Sequence, residues 1–94
     1  MDPQLPTGRI SIPSDVVRRA FGEETVLLNL GTGHYHGLNE TGGYMLDLLE
    51  RNGDAVATAQ QVSKELDAPL EVVTRDLAEL CQRLAERGLI AVEG

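Results

Sequence analysis

Aromatic residues, cysteine and basic residues are all scarce in this chain of 94 residues. Phe21, Tyr35 and Tyr44 are the aromatic residues, so a core must be built from Leu, Val, Ile and Ala. The one cysteine, Cys81, excludes an internal disulfide and fits a reducing cytoplasm. The formal charge of −7 works against a nucleic-acid partner, because affinity for phosphate backbones comes largely from Lys and Arg.

Long apolar runs are missing as well. No stretch approaches the roughly 20 apolar residues of a membrane helix, and residues 1–4 lack the basic and apolar segments of a signal peptide. We therefore expect a cytoplasmic protein with no membrane partner. We predict a flexible tail over residues 1–8 and one domain over 9–94, which is too small for an enzyme with a deep cleft.

One stretch organises the rest of the chain. Residues 26–30 form an apolar, branched run of strand length, and Gly31 and Gly33 supply the positive φ angles of a hairpin turn. Residues 34–38 then run back as a second strand, and Asn39 begins a helix. That second strand is short and polar enough to lie at a sheet edge, where its backbone N–H and C=O groups are free to meet a partner.

Two short extended pieces, residues 10–12 and 16–20, precede this hairpin, and three helices follow it. A small antiparallel meander is not stable alone in water, so the helices must cover one of its faces. The sequence therefore predicts an α+β fold, in which a three-stranded antiparallel sheet is followed by three helices. This arrangement is winged helix-turn-helix-like.

The first two predicted helices have recognisable ends. Asn39 begins the first, and Gly53 ends it. Thr58 and Gln61 form a capping-box pair that is expected to open the second helix. The apolar residues expected to be buried are Met45, Leu48 and Leu49 in the first helix and Ala59, Val62 and Leu66 in the second.

The third helix has the clearest pattern in the chain. Pro69 is placed at its first helical position and Gly88 ends it. Residues 89–92 then form an apolar tail that should fold back onto the core. The apolar stripe, with spacings of three and four, consists of Leu70, Val73, Leu77, Leu80, Cys81 and Leu84.

Candidate catalytic and metal-binding residues are few. His34 and His36 point to one face of a strand, but with Cys81 they give three zinc ligands and no fourth is evident. Cys81 lies in the apolar stripe, which indicates a buried structural residue. The glycines at 31 and 33 precede a strand, whereas a dinucleotide site needs them to open a helix. We expect no enzyme activity, no cofactor and no metal.

Two binding functions remain open. The second and third helices resemble a helix-turn-helix, so a winged-helix DNA-binding transcription regulator is the alternative, but the near balance of charges on the third helix disfavours it. The other possibility is a groove between residues 34–37 and the third helix, where an extended peptide adds a strand to the sheet. An edge that binds nothing, protected by its shortness and its histidines, fits the residues equally well.

The order and spacing of several short motifs resemble the PqqD-like family over about residues 9–92. These proteins are recognition elements for ribosomally made, post-translationally modified peptides (RiPPs). The matching marks are Val26-Leu27-Leu28-Asn29, Gly33, Tyr35, Leu38-Asn39, Leu48-Leu49, Gly53, Asp76, Leu77, Leu80 and Gly88-Leu89-Ile90.

The resemblance implies a non-catalytic peptide-binding chaperone. Such a protein captures the leader segment of a precursor peptide as an added strand and presents it to a processing enzyme. A free-standing chain of this size is most similar to members from lasso-peptide biosynthesis, whose implied partner is a cysteine-protease-like leader peptidase. Members from pyrroloquinoline quinone biosynthesis serve a radical-SAM enzyme instead.

The resemblance also implies a set of leader-binding residues. The backbone of His34, Tyr35, His36 and Gly37 is expected to pair with the leader. Asp76 and Arg83 lie seven residues apart on one helix face and are expected to hold polar groups of the leader or of the peptidase. The residues expected to line apolar pockets, some of them shared with the core, are Leu28, Leu30, Val73, Leu77 and Leu80.

Overall fold

The computed structural model describes residues 4–93, and residues 1–3 of the predicted tail lie outside this range. Leu5, also in that tail, packs partly against the core, and the flexibility of residues 1–8 stays a prediction. In chain order the elements are β1 (Arg9–Ser11), β2 (Val16–Phe21), β3 (Glu24–Asn29), β4 (Tyr35–Leu38), α1 (Glu40–Asn52), α2 (Ala55–Leu66), α3 (Leu70–Glu86) and β5 (Ala91–Glu93).

The predicted three-stranded antiparallel sheet is confirmed, with strand order β2-β3-β4. β4 therefore lies at an edge. One row of paired residues runs across all three strands, from Val17 through Leu28 to Tyr35. The α+β fold class is confirmed with it.

A second sheet, made of β1 and β5, was not predicted. Ile10 pairs with Val92 across it, and the apolar tail before β5 folds back as expected, with Leu89 and Ile90 buried. Strands of three residues are too short to show the alternation that identifies a strand in sequence.

The predicted ends of α1 are confirmed. Asn39 is the N-cap, and its side-chain oxygen accepts from the backbone N–H of Gly42 at 2.8 Å. Gly53 ends the helix in the left-handed conformation, with φ of 66°, and donates its N–H to the carbonyl of Leu49.

At the hairpin turn between β3 and β4, only Gly33 has a positive φ, of 79°. Both turn glycines, Gly31 and Gly33, were predicted to have one.

The predicted start of α2 is wrong by four residues. Asp54 is the N-cap and its carboxylate accepts from the N–H of Val56, so the helix begins at Ala55. Thr58 lies inside the helix, where its hydroxyl donates to the carbonyl of Asp54 at 2.8 Å. An aspartate directly after the glycine that ends α1 is as good a cap as the threonine.

The core lies between the sheet and the helices. Most of the predicted apolar stripe of α3 is buried, but its first member, Leu70, is 47% exposed. The prediction that Leu66 of α2 is buried is wrong, since that residue is 50% exposed. These two leucines are the last residue of α2 and the first of α3, so they flank the turn beyond the reach of the core. The largest side chains in the centre are Leu27, Leu46, Leu49, Leu77, Leu84 and Leu89.

Candidate functional site: the β4 edge and the groove beside α3

The backbone of β4 exposes alternate residues at the sheet edge. The N–H of Asn29 donates to the carbonyl of His34 at 2.8 Å, which makes these two a hydrogen-bonded pair of the ladder. Such pairs alternate along an antiparallel ladder, so His36, opposite Leu27, also points its backbone groups toward β3. The N–H and C=O groups of Tyr35 and Gly37 therefore point outward, and these two residues are the part of the expected 34–37 segment that can pair with a peptide.

Asn29 holds the hairpin turn beside the end of α3. Its side-chain oxygen accepts from the N–H groups of Gly31 and Thr32, at 2.8 and 3.1 Å. Its side-chain nitrogen donates to the carbonyl of Gly88 at 2.7 Å. This buried amide thereby fixes the distance between the start of β4 and the C-terminal end of α3.

The side chain of Arg87 reaches from the end of α3 to β4. One of its guanidinium nitrogens lies 3.1 Å from the carbonyl of Tyr35 and 2.8 Å from Nδ1 of His36. Because arginine only donates, Nδ1 must accept, which requires a neutral ring with its proton on Nε2. Burial, together with the positive charges of Arg87 and Arg83, lowers the pKa of His36 and so favours that neutral form.

Two hollows lie beside α3, one near each end of β4, and we call the surface that joins them the groove. The one at the turn end is lined by Gly33, His34, Tyr35 and Arg87. The one at the α1 end is lined by Asn39, Thr41, Gly42, Met45, Asp76, Glu79, Leu80 and Arg83. The structure thus brings together three of the residues expected on α3: Asp76, Leu80 and Arg83.

The other two apolar residues expected on α3 belong to the core. Val73 is 3% exposed and Leu77 is fully buried. They lie on the side of the helix that faces the interior, so Leu80 is the member of that predicted set that reaches the groove.

Leu28 and Leu30 also lie away from the groove. Since side chains alternate along a strand and Leu27 points into the core, Leu28 points to the opposite side of the sheet. We call this side the outer face. Its apolar residues, all half-buried or exposed, are Val17, Phe21, Val26, Leu28, Leu30 and Tyr35.

Neither Arg87 nor the extent of the outer face was predicted from the sequence. A signal for the outer face was present, because residues 26–28 are consecutively apolar, whereas a strand with one solvated face should alternate. Arg87 had only a weak signal, since its partners are 51 and 52 residues away in the chain.

The structure separates the candidate metal ligands. Cys81 is buried in the core, where burial raises its pKa to about 11, while His34 is exposed beside the turn. Within residues 4–93 no three His, Cys, Asp or Glu side chains are grouped so that they could hold a metal ion. None of the helices described is long and apolar enough to cross a membrane.

Comparison with known proteins identifies the family of this chain. The family model described as coenzyme PQQ synthesis protein D (PqqD) matches residues 24–90. No curated protein sequence matches the chain.

Two solved structures share the fold over most of the chain. One is TbiB1 in complex with the TbiA(beta) leader peptide, with a TM-score of 0.78 and 30% identity over 89% of this chain and 98% of that one. The other is lasso peptide synthetase B1 complexed with the leader peptide, with a TM-score of 0.77 and 23% identity over 88% and 98%. By its match to the family model and to TbiB1, this chain belongs to the PqqD family.

Proposed function

We propose that this protein binds the leader segment of a ribosomally made precursor peptide by adding it as a strand to the β4 edge. The observation that carries the proposal is the outward-pointing backbone of Tyr35 and Gly37 beside a groove on α3. The likeness to TbiB1, a protein seen in complex with a leader peptide, supports the same reading. Lasso-peptide biosynthesis is the pathway that we propose.

Backbone pairing alone would not give tight binding. Tyr35 and Gly37 offer four backbone groups, and four hydrogen bonds at about 0.5–1.5 kcal/mol each contribute roughly 2–6 kcal/mol. Micromolar affinity requires about 8 kcal/mol after the costs of association. Side chains of the leader must therefore enter the groove, where Leu80 and Met45 offer apolar contacts and Asp76 and Arg83 offer charged ones.

We propose that the role is binding without catalysis. A nucleophilic cysteine needs a lowered pKa and access to substrate, whereas Cys81 is buried and has a raised pKa of about 11. The imidazole of His36 already accepts a hydrogen bond from Arg87 and has no nucleophile beside it in the contacts that it makes.

A processing enzyme is the second partner in this proposal, and a leader peptidase is our first candidate. The outer face of the sheet is the surface that we assign to it. Phe21, Leu30 and Tyr35 there are each more than 60% exposed, which is costly for a face without a partner. A peptide strand added beside β4 would widen this same face, so an enzyme docked on it would touch both the protein and its bound leader.

Calorimetric titration with a synthetic leader, taken from the precursor gene next to the gene of this protein, tests the proposal. We expect saturable binding that a scrambled peptide does not reproduce. A proline scan supplies a matched control within the peptide, because proline removes the backbone N–H. Proline should abolish binding at positions whose N–H faces β4, and it should be tolerated better at the alternate positions.

A DNA duplex completes this experiment. The proposal predicts no binding to the duplex, since the chain carries a charge of −7. Failure of the leader to bind, together with salt-dependent binding of the duplex, would contradict the proposal and favour a winged-helix transcription regulator.

A further inference from the structure

Arg87 occupies part of the surface that strand addition requires. Its guanidinium donates to the carbonyl of Tyr35, one of the two outward acceptors of β4. A peptide strand paired with β4 would place a backbone N–H at that same carbonyl. A carbonyl oxygen has two lone pairs, so Arg87 either shares this acceptor with the peptide or moves away from it as the peptide binds.

The hydrogen-bond partners of Arg87 are neutral. They are the carbonyl of Tyr35 and Nδ1 of His36. Within residues 4–93, Arg18 alone among the arginines has a carboxylate within 4 Å. It pairs with Asp47 and Glu50. Arg87 is thus a cation without a counter-ion, in a chain whose formal charge is −7.

The surroundings of Arg87 add positive charge. Arg83 lies one turn earlier on α3, and like charges four residues apart on a helix repel each other. Both arginines are exposed, and the positive charge of each lowers the pKa of His36. A ligand group that relieves this repulsion and draws Arg87 away from β4 must carry a negative charge.

We propose that the bound peptide carries an aspartate or glutamate side chain opposite Arg87, and that this carboxylate draws the guanidinium off the carbonyl of Tyr35. The inference rests on the proposed function and names one chemical requirement of the leader. A carboxylate can take two parallel hydrogen bonds from a guanidinium. The exchange frees the Tyr35 carbonyl for the backbone of the same peptide.

The groove also restricts where this carboxylate can lie. The hollow at the α1 end is lined by the two carboxylates of Asp76 and Glu79 and by one guanidinium, that of Arg83, so its net charge is negative and disfavours an acidic side chain there. The helix rises about 1.5 Å per residue, so Asp76 and Arg87 are about 16 Å apart along α3. An extended peptide covers that distance in about five residues. The acidic residue therefore belongs at the turn end of the groove, about five residues from the part of the peptide that faces Asp76.

A double-mutant cycle tests the proposal. The probe is the synthetic leader described above, in which each Asp is changed to Asn and each Glu to Gln, one at a time. Calorimetry at low salt should show one position at which the change weakens binding about fivefold, the upper range for an exposed ion pair. With Arg87→Gln the unmodified leader should bind more weakly, and the same peptide change should then have less than about a twofold effect.

Arg75→Gln is the matched control. Arg75 is an exposed arginine of α3 that lines neither hollow, so its loss removes the same charge outside the groove. The peptide changes should keep their full effect in this variant. Circular dichroism of each variant on heating verifies that it is folded.

Three results would overturn the proposal while leaving leader binding intact. In the first, no amide substitution weakens binding. In the second, the sensitive position is equally sensitive in Arg87→Gln. In the third, a leader with no carboxylate binds as tightly as the unmodified one. If the unmodified leader does not bind the unmodified protein, the proposed function itself fails, and the two failures are thereby distinguished.

Discussion

The two faces of the three-stranded sheet carry similar apolar residues but differ in how far those residues are buried. Leu27 is fully buried against the helices, whereas its neighbour Leu28 lies on the outer face with Val17 and Tyr35. No helix of the described chain packs on the outer face, since all of the sheet's buried apolar residues lie on the other one. The inner face therefore stabilises the fold, whereas the outer face and the β4 edge remain available for partners.

Substitution of Leu27 and Leu28 by alanine gives the largest expected difference between the faces. Leu27→Ala should lower the free energy of unfolding by about 2–5 kcal/mol, because it removes buried methyl groups and leaves a cavity. Leu28→Ala should cost less, about 1–2 kcal/mol, since that side chain is only partly buried and its removal leaves no enclosed cavity. Denaturant titration measures both values, and equal losses would mean that the two faces are not different.

A charge on the outer face should separate leader binding from processing. Leu28→Glu should leave leader affinity unchanged within about twofold, yet slow cleavage of the precursor by the cognate leader peptidase about tenfold or more, as expected for an interface hot spot. Val72→Glu, on an exposed residue of α3, is the control and should affect neither. If cleavage by the Leu28→Glu protein is normal, the enzyme docks elsewhere.

Removal of a charge from the groove should instead weaken leader binding. Asp76→Ala should weaken leader binding by about two- to fivefold without unfolding the domain, because Asp76 is exposed and lines the groove beside Leu80. Glu71→Ala removes an exposed carboxylate in the first turn of α3, outside both hollows, and serves as control. Equal affinity of all three proteins would show that Asp76 is merely solvated.

The smallest effect expected is a pH dependence from the groove side of β4. The folded protein holds the pKa of His36 below its usual 6.5, through burial and through Arg87 and Arg83 on α3. The unfolded chain therefore binds this proton at a higher pH than the folded protein does. The stability that neutral His36 contributes is complete above pH 6.5 and is lost as the pH falls through the lower, folded pKa.

Denaturant titrations between pH 5 and 7 can show this loss, because most carboxylates titrate below that range. His36→Gln should flatten the decline. A decline of the same size in His36→Gln would assign it to other groups.

Local signals in the sequence were sufficient for much of the fold. Asn39 and Gly53 have side-chain and backbone properties that suit the two ends of a helix, and the spacing of Val73, Leu77 and Leu84 reflects a helix face that is buried. These features depend on residues a few positions apart, which is the range over which capping and periodicity act.

The features that sequence could not supply depend on distant partners. β1 pairs with β5 across about 80 residues, and neither strand is long enough to show a pattern. The direction of Leu28 is set by which face of β3 the helices cover. The predicted set of site residues mixed groove, core and outer face for the same reason, since a strand or helix pattern shows periodicity and not which side a partner will take.

Hydrogen exchange at the backbone amides of β4 tests the central claim most directly. In the free protein the amides of His36 and Leu38 face β3, whereas those of Tyr35 and Gly37 face outward and should exchange faster. Addition of the synthetic leader should slow exchange at Tyr35 and Gly37 by at least about tenfold, with little change at the other two. Leader binding that leaves the Tyr35 and Gly37 amides in fast exchange would contradict strand addition at this edge.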